Sequence, residues 1–124
     1  PLDVLDARIN LEDDEVTYEV TLDLLARHPD LAGIYSIAGS VNGVVRALTE
    51  AGRVGQVVVV CHELTPDHRR ALVNGAVDLV IRTPLALFAQ TAIQTLLRSL
   101  QADPAPAFGQ PFVLPFELYT PENV

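Results

Sequence analysis

The chain has 124 residues, 49% hydrophobic and 19% charged, with a net charge of −8 at pH 7. That length suits one domain with a real core, and that composition excludes a disordered chain. An acidic chain without a basic stripe is a poor nucleic-acid binder by itself, and no apolar run approaches the ~18 residues of a membrane span.

Val4, Leu5, Ala7 and Ile9 predict a first strand that ends at Asn10. The run Glu12-Asp13-Asp14-Glu15 opens a helix, because carboxylates favour the positive end of the helix dipole. Val16, Val20 and Leu24 recur at i, i+4, i+8, Leu25 widens the stripe, and His28-Pro29 stops the helix. Gly33–Ala38 reads as a buried strand. Ser40 caps the next helix, Val41, Val44, Val45 and Leu48 form its apolar face, and Gly52 ends it. Val57–Cys61 is the strongest strand signal, and its β-branched run predicts a central parallel strand covered on both faces. Thr65 and Pro66 take the N-cap and first helical positions of a helix that ends near Asn74-Gly75. Val77–Ile81 is a further strand. Thr83-Pro84 starts the longest helix, with Leu85, Phe88, Ala92, Ile93, Leu96, Leu97 and Leu100 on its apolar face. Asp103–Pro111 is a loop or rigid spacer rich in proline. Phe112, Leu114, Phe116 and Leu118 alternate as an edge strand, because Pro115 cannot donate to a ladder. The sum is an α/β fold, a three-layer α/β/α sandwich around a mostly parallel five-stranded sheet.

Polar residues cluster where strands meet helices, and in an open parallel sheet those junctions share the ligand-binding edge. Cys61-His62-Glu63 ends the central strand. As catalysis it offers a thiol, a base and a carboxylate, but neighbouring strand residues point to opposite faces, so Cys61 and His62 make a poor dyad. The preferred reading leaves Cys61 as a small buried residue and Glu63 as an acceptor for a ligand hydroxyl or amine. His62, Glu63 and His68 match no standard zinc spacing, and His68 and His28 read as solvated surface residues. Ser40-Val41-Asn42-Gly43 opens a helix, but it is neither a G-x-G-x-x-G fingerprint nor a P-loop. Its backbone N–H groups could still receive a polar ligand atom, whereas plain helix capping already explains Ser40. Arg82 ends the fourth predicted strand, either as a bidentate ligand clamp or as an ion-pair partner for Glu63. Asn10, Glu12 and Asp13 close the first strand, with helix capping as their simplest role. The candidate ligand-binding residues are therefore Glu63, Arg82, His62, Ser40, Asn42 and Asn10.

The order "LLARHPDLAGIY", "VVRALTEAGR", "VVVVCHELTPD", "DLVIRTP" and "LPFELYTPENV" resembles the effector-binding domain of lactose-repressor-type (LacI family) transcriptional regulators. More broadly it resembles type I periplasmic sugar-binding proteins. The likeness is to the C-terminal lobe of a two-lobed domain and covers nearly the whole chain. It implies that Glu63 stands at the family's ligand-contacting Asp and Arg82 at its ligand-contacting Gln. At the turn Ala38–Asn42 the family's Asn-Asp pair is replaced by Ala38-Gly39-Ser40.

The resemblance implies an effector-sensing lobe of a repressor, not an enzyme, that binds a small polar molecule, a sugar first of all. Cofactors and metals are not expected. DNA would be reached only through a separate N-terminal helix-turn-helix, the chain would dimerise with a second copy, and no membrane would be involved. The alternative is the solute-binding subunit of a sugar importer, and a hydrolase or transferase using Cys61 or His62 comes third. A single cysteine and no methionine agree with a cytoplasmic protein and with a processed or excised piece of a longer one.

Overall fold

The computed structural model describes residues 3–37, 39–101 and 113–124. The chain divides into two compact units, one running up to Ile81 and rejoined by Leu118–Val124, the other Arg82–Glu117. The elements in order are α1 (Asp14–Arg27), β1 (Gly33–Ser36), α2 (Val41–Glu50), β2 (Val58–His62), α3 (Pro66–Val73), β3 (Leu79–Arg82), α4 (Leu85–Gln101) and β4 (Glu117–Tyr119). Among the described residues the sheet has four strands in the order β1-β2-β3-β4. β1 pairs parallel with β2, and β2 with β3, Gly33 opposite Val58 and Val60 opposite Leu79.

The α/β class and the parallel pairing agree with the sequence, but among the described residues the expected first strand does not form, leaving four strands of the five. Residues 3–10 make no ladder and are exposed up to Ile9. With Asp3, Asp6 and Arg8 between its apolar residues, the segment finds no sheet edge among the described residues. Its Arg8 reaches α1 instead, 2.9 Å from Asp23. The last strand is shorter than its alternation predicts, Glu117–Tyr119 only. Phe112 and the Asp103–Pro111 spacer lie outside the described residues, as does Ala38.

α1 begins where Asp13 accepts hydrogen bonds from the Glu15 and Val16 amides, with Asp14 and Glu15 in its first turn. Its buried face is Thr17, Thr21 and Leu25, one residue round from the predicted Val16-Val20-Leu24 stripe, which is only half-buried. The rotation follows from close helix packing. A Cβ placed on Gly43 of α2 would stand 2.3 Å from the Asp14 carbonyl oxygen and 2.8 Å from Thr17 Cβ. Two helices that meet so closely leave no room for long side chains, and the threonines place their hydroxyls there, Thr17 donating to Ser40 Oγ at 2.9 Å and Thr21 to the Thr17 carbonyl at 2.7 Å. At the exposed rim Arg46 of α2 grips Glu15 bidentately at 2.6 and 2.8 Å and lies 3.6 Å over the Tyr18 ring. That guanidinium holds the Glu15 carboxyl below the usual glutamate range.

The core of the first unit lies among α2, α3 and one face of the sheet: Val41, Val44, Leu48, Val57, Val59, Cys61, Leu72, Val77 and Val80 are buried. Burial along β2 alternates, with Val59 and Cys61 enclosed but Val58 53% exposed. β2 is thus central in the sheet, and within the first unit the side that carries Val59 and Cys61 is the one the core covers. Asp78 completes the pairing, accepting from the buried Val59 amide at 2.8 Å while its own amide donates to the Val59 carbonyl at 2.9 Å.

In the second unit α4 follows Pro84 as expected, yet none of its residues is buried. Leu85, Phe88, Ile93, Leu96, Leu97 and Leu100 are exposed, while the Thr91-Thr95-Ser99 side is partly covered. Thr95 and Ser99 fold their hydroxyls back onto the carbonyls four residues earlier. Among the described residues no helix is long and apolar enough to cross a membrane.

Candidate functional site

Because β1 and β2 run parallel with Ser36 opposite Cys61, the chain leaves both strands at the same sheet edge. The segments that lead from there to α2 and α3 carry Ser40 and Glu63. Both have positive φ, 67° and 64°, as do Leu11 and Glu12 just ahead of α1. A left-handed conformation costs roughly 1–2 kcal/mol for a residue with a Cβ. Such strain collects at ligand sites.

Ser40 is a hub. Its Oγ accepts from Asn10 Nδ2 and from Thr17 Oγ1, each at 2.9 Å, and donates to the Gly39 carbonyl. A hydroxyl has one proton and two lone pairs, so all three are engaged. Ser40 holds the N-cap position of α2 without a side-chain cap bond, contrary to the capping role expected of it. Its hydroxyl is drawn instead to the α1 side. Asn10 also accepts from the Glu12 amide at 3.2 Å, and Asn42 donates to Asp14 at 3.2 Å. Asn10, Ser40 and Asn42 thus tie the start of α1 to the start of α2. Thr17 belongs to this hub and Gly43 permits it. The sequence hides both, because a helical threonine and a glycine near a turn look unremarkable.

His62 ends β2 and shares a hydrogen bond of 2.5 Å with the Tyr35 hydroxyl, the rings 5.5 Å apart at 54°. Tyr35 lies opposite Val60 in the register, on the sheet face away from the core. That pairing becomes visible only once the register is known.

Glu63 is held by its backbone. Its amide donates to the Ile81 carbonyl at 2.9 Å, and its carbonyl accepts from the Thr65 amide at 3.1 Å and from His68 Nδ1. Its carboxylate has no hydrogen bond or ion pair among the described residues of its own unit, and the residue is only partly covered. His68 is 4% exposed, which corrects the expectation of a solvated surface histidine. The first turn of α3 folds its ring inward over the Glu63 carbonyl. Arg82, in the second unit, pairs with Glu117 at 3.1 Å.

Cys61 is fully enclosed, and burial pushes its thiol up to about 11. It is therefore a protonated core residue at neutral pH and not a nucleophile. Native Cys61 is expected to resist iodoacetamide at pH 8 and to react on unfolding in urea. Rapid labelling of the folded chain would return it to the candidate chemistry. No cluster of three or more His, Cys, Asp or Glu suited to a metal ion occurs among the described residues.

The family described as periplasmic binding protein domain matches residues 2–104. A search of curated proteins finds no match. An ABC transporter solute-binding protein from Agrobacterium vitis bound with α-D-tagatopyranose is similar at TM-score 0.81 and 21% identity, over 98% of this chain and 40% of that one. A second from the same organism, with bound D-fucose, gives 0.76 at 19% identity over 96% of this chain and 40% of its own. GanP, a glucose-galactose binding protein from Geobacillus stearothermophilus, gives 0.76 at 13% identity over 93% of this chain and 40% of its own. The chain spans about two fifths of the length of these structures.

Proposed function

Because the chain belongs to the periplasmic binding protein domain family, we propose that it is one lobe of a two-lobed receptor for a small sugar. The edge that carries Glu63 is its ligand wall. The observation that carries this reading is Glu63 itself: a residue in a strained conformation, its backbone fixed by three contacts, with a carboxylate that no described neighbour in its unit engages. A carboxylate in that state accepts hydrogen bonds from sugar hydroxyls, and a charged acceptor makes such bonds strong. His62 is a further candidate, and so is Asn10 through the hydrogen-bonding capacity that its bonds to Ser40 and the Glu12 amide leave open. Ser40 and Asn42 hold the loops, and backbone groups there are the parts left for a ligand. Arg82 is a second candidate on the resemblance alone, to be tested separately. A single lobe covers one side of a small ligand, so tight binding needs the opposite lobe as well.

The similar structures are solute-binding proteins, two of them described as parts of ABC transporters, which favours an importer's sugar-binding component over a repressor's sensor. The repressor reading shares the lobe and adds DNA binding, a homodimer and a cytoplasmic location. The importer reading puts the protein outside the cytoplasm. Fractionation of cells making the full-length protein separates the two.

Calorimetry on the full-length protein with D-fucose, D-tagatose and D-glucose tests the wall. A hydrogen bond to a charged group is worth about 1.5–3 kcal/mol, so Glu63→Ala should weaken sugar binding by roughly 10- to 100-fold. Unchanged affinity would remove Glu63 from the site.

A further inference from the structure

The histidine beneath Glu63 has no role in the sugar-binding reading as stated, yet its placement is specific. His68 is the third helical residue of α3, and its backbone amide serves the Thr65 cap at 3.2 Å. Its side chain is thereby free to turn back, and the ring Nδ1 meets the Glu63 carbonyl. A carbonyl oxygen only accepts, so Nδ1 must carry the proton.

We propose that His68 is the positioning residue that holds Glu63 in its left-handed conformation and so aims its carboxylate from the sheet edge. Three contacts fix the Glu63 peptide, and two of them, from Ile81 and Thr65, are backbone bonds that any sequence would make. The third depends on a side chain. The strain at φ 64° has to be offset locally, since glutamate gains nothing intrinsic from it. His68 is buried, so its bond to the carbonyl is sheltered from competing water. Without it the Glu63 peptide would relax toward negative φ and carry the carboxylate elsewhere. The role in ligand binding rests on Glu63 being the ligand wall, whereas the conformational role does not.

The test is built to separate the two. In ligand-free protein a strong intraresidue HN–Hα NOE at residue 63 reports positive φ. His68→Leu is expected to lose that signal. His68→Asn, whose Nδ2 stands about where the imidazole Nδ1 does, is expected to keep it. If His68→Leu fails to fold, the pair Glu63→Gly with His68→Leu decides, because glycine takes positive φ unaided. Recovery of the fold in that pair supports the proposal, and failure to recover assigns His68 to core packing and overturns it. A positive φ persisting in folded His68→Leu overturns it too. For D-fucose, His68→Leu should weaken binding about as far as Glu63→Ala, roughly tenfold or more, and the double variant no further. If Glu63→Ala binds normally while the NOE result holds, the sugar-wall reading fails and the positioning role stands.

Discussion

Gly43→Ala is expected to destabilise the first unit by about 3 kcal/mol or more, and to do so against its own helix propensity. Alanine is better than glycine inside a helix by roughly 0.8–1 kcal/mol. Here the new Cβ would stand 2.3 Å from the Asp14 carbonyl oxygen and 2.8 Å from both Thr17 Cβ and the Tyr18 amide nitrogen. Two of those three atoms belong to the α1 backbone, which cannot rotate away. α1 would have to lift off α2, loosening the Thr17 and Asn10 bonds to Ser40 and the Arg46 grip on Glu15. Overpacking a well-filled site costs about 1–3 kcal/mol when side chains can shift, and a backbone obstacle puts this case at or beyond the top of that range. Urea unfolding measures it. Thr17→Gly should not rescue the variant, because the Asp14 carbonyl remains in the way. A Gly43→Ala protein more stable than the original would show that the helices do not meet there.

Leu72→Ala should cost about 2–5 kcal/mol, toward the upper half, from lost burial and the cavity left behind. Leu72 and Leu48 are the largest fully buried side chains among the described residues, and most of the remaining core is valine, alanine and cysteine. Short β-branched residues fixed on strands, Val59 and Val80 among them, cannot swing into a hole. Small domains hold only about 5–15 kcal/mol in all, so the change removes a large share. The urea midpoint should fall with little change in slope. A loss under ~1 kcal/mol would mean that α3 packs against the sheet differently.

The alternation of strands and helices from Gly33 to Gln101 was legible because each helix start carries a local signal, Thr65-Pro66 most clearly. Local signals also mark β2 and β3 by β-branched runs. What the sequence did not show arises from helix contact and chain path. The buried face of α1 turned by one residue because it packs close against a glycine on α2 and bonds through threonine hydroxyls, whereas periodicity counts only apolar residues. Residues 3–10 alternate like a strand, but a strand exists only where another offers its edge. At the site, Glu63 was recognisable as a junction carboxylate. The positive φ that distinguishes it was not, because glutamate has no left-handed preference to read. His68 looked solvated for a related reason: a polar residue in a helix's first turn is ordinarily outward, and only the carbonyl of Glu63 draws it in. Thr17, Tyr35 and the Ser40 hub depend on pairs far apart in the chain.

The division of the chain also has a kinetic meaning. β1, β2 and β3 each follow the last after one short helix, so their parallel pairs close over modest stretches of chain. Leu118–Val124 rejoins the first unit only after the whole Arg82–Glu117 excursion. Closing so long a loop costs on the order of 3 kcal/mol of chain entropy, and β4 is only Glu117–Tyr119. The sheet should therefore assemble from β1 to β3 while the chain is still emerging from the ribosome. Its C-terminal strand joins last, and it is the first to let go under strain.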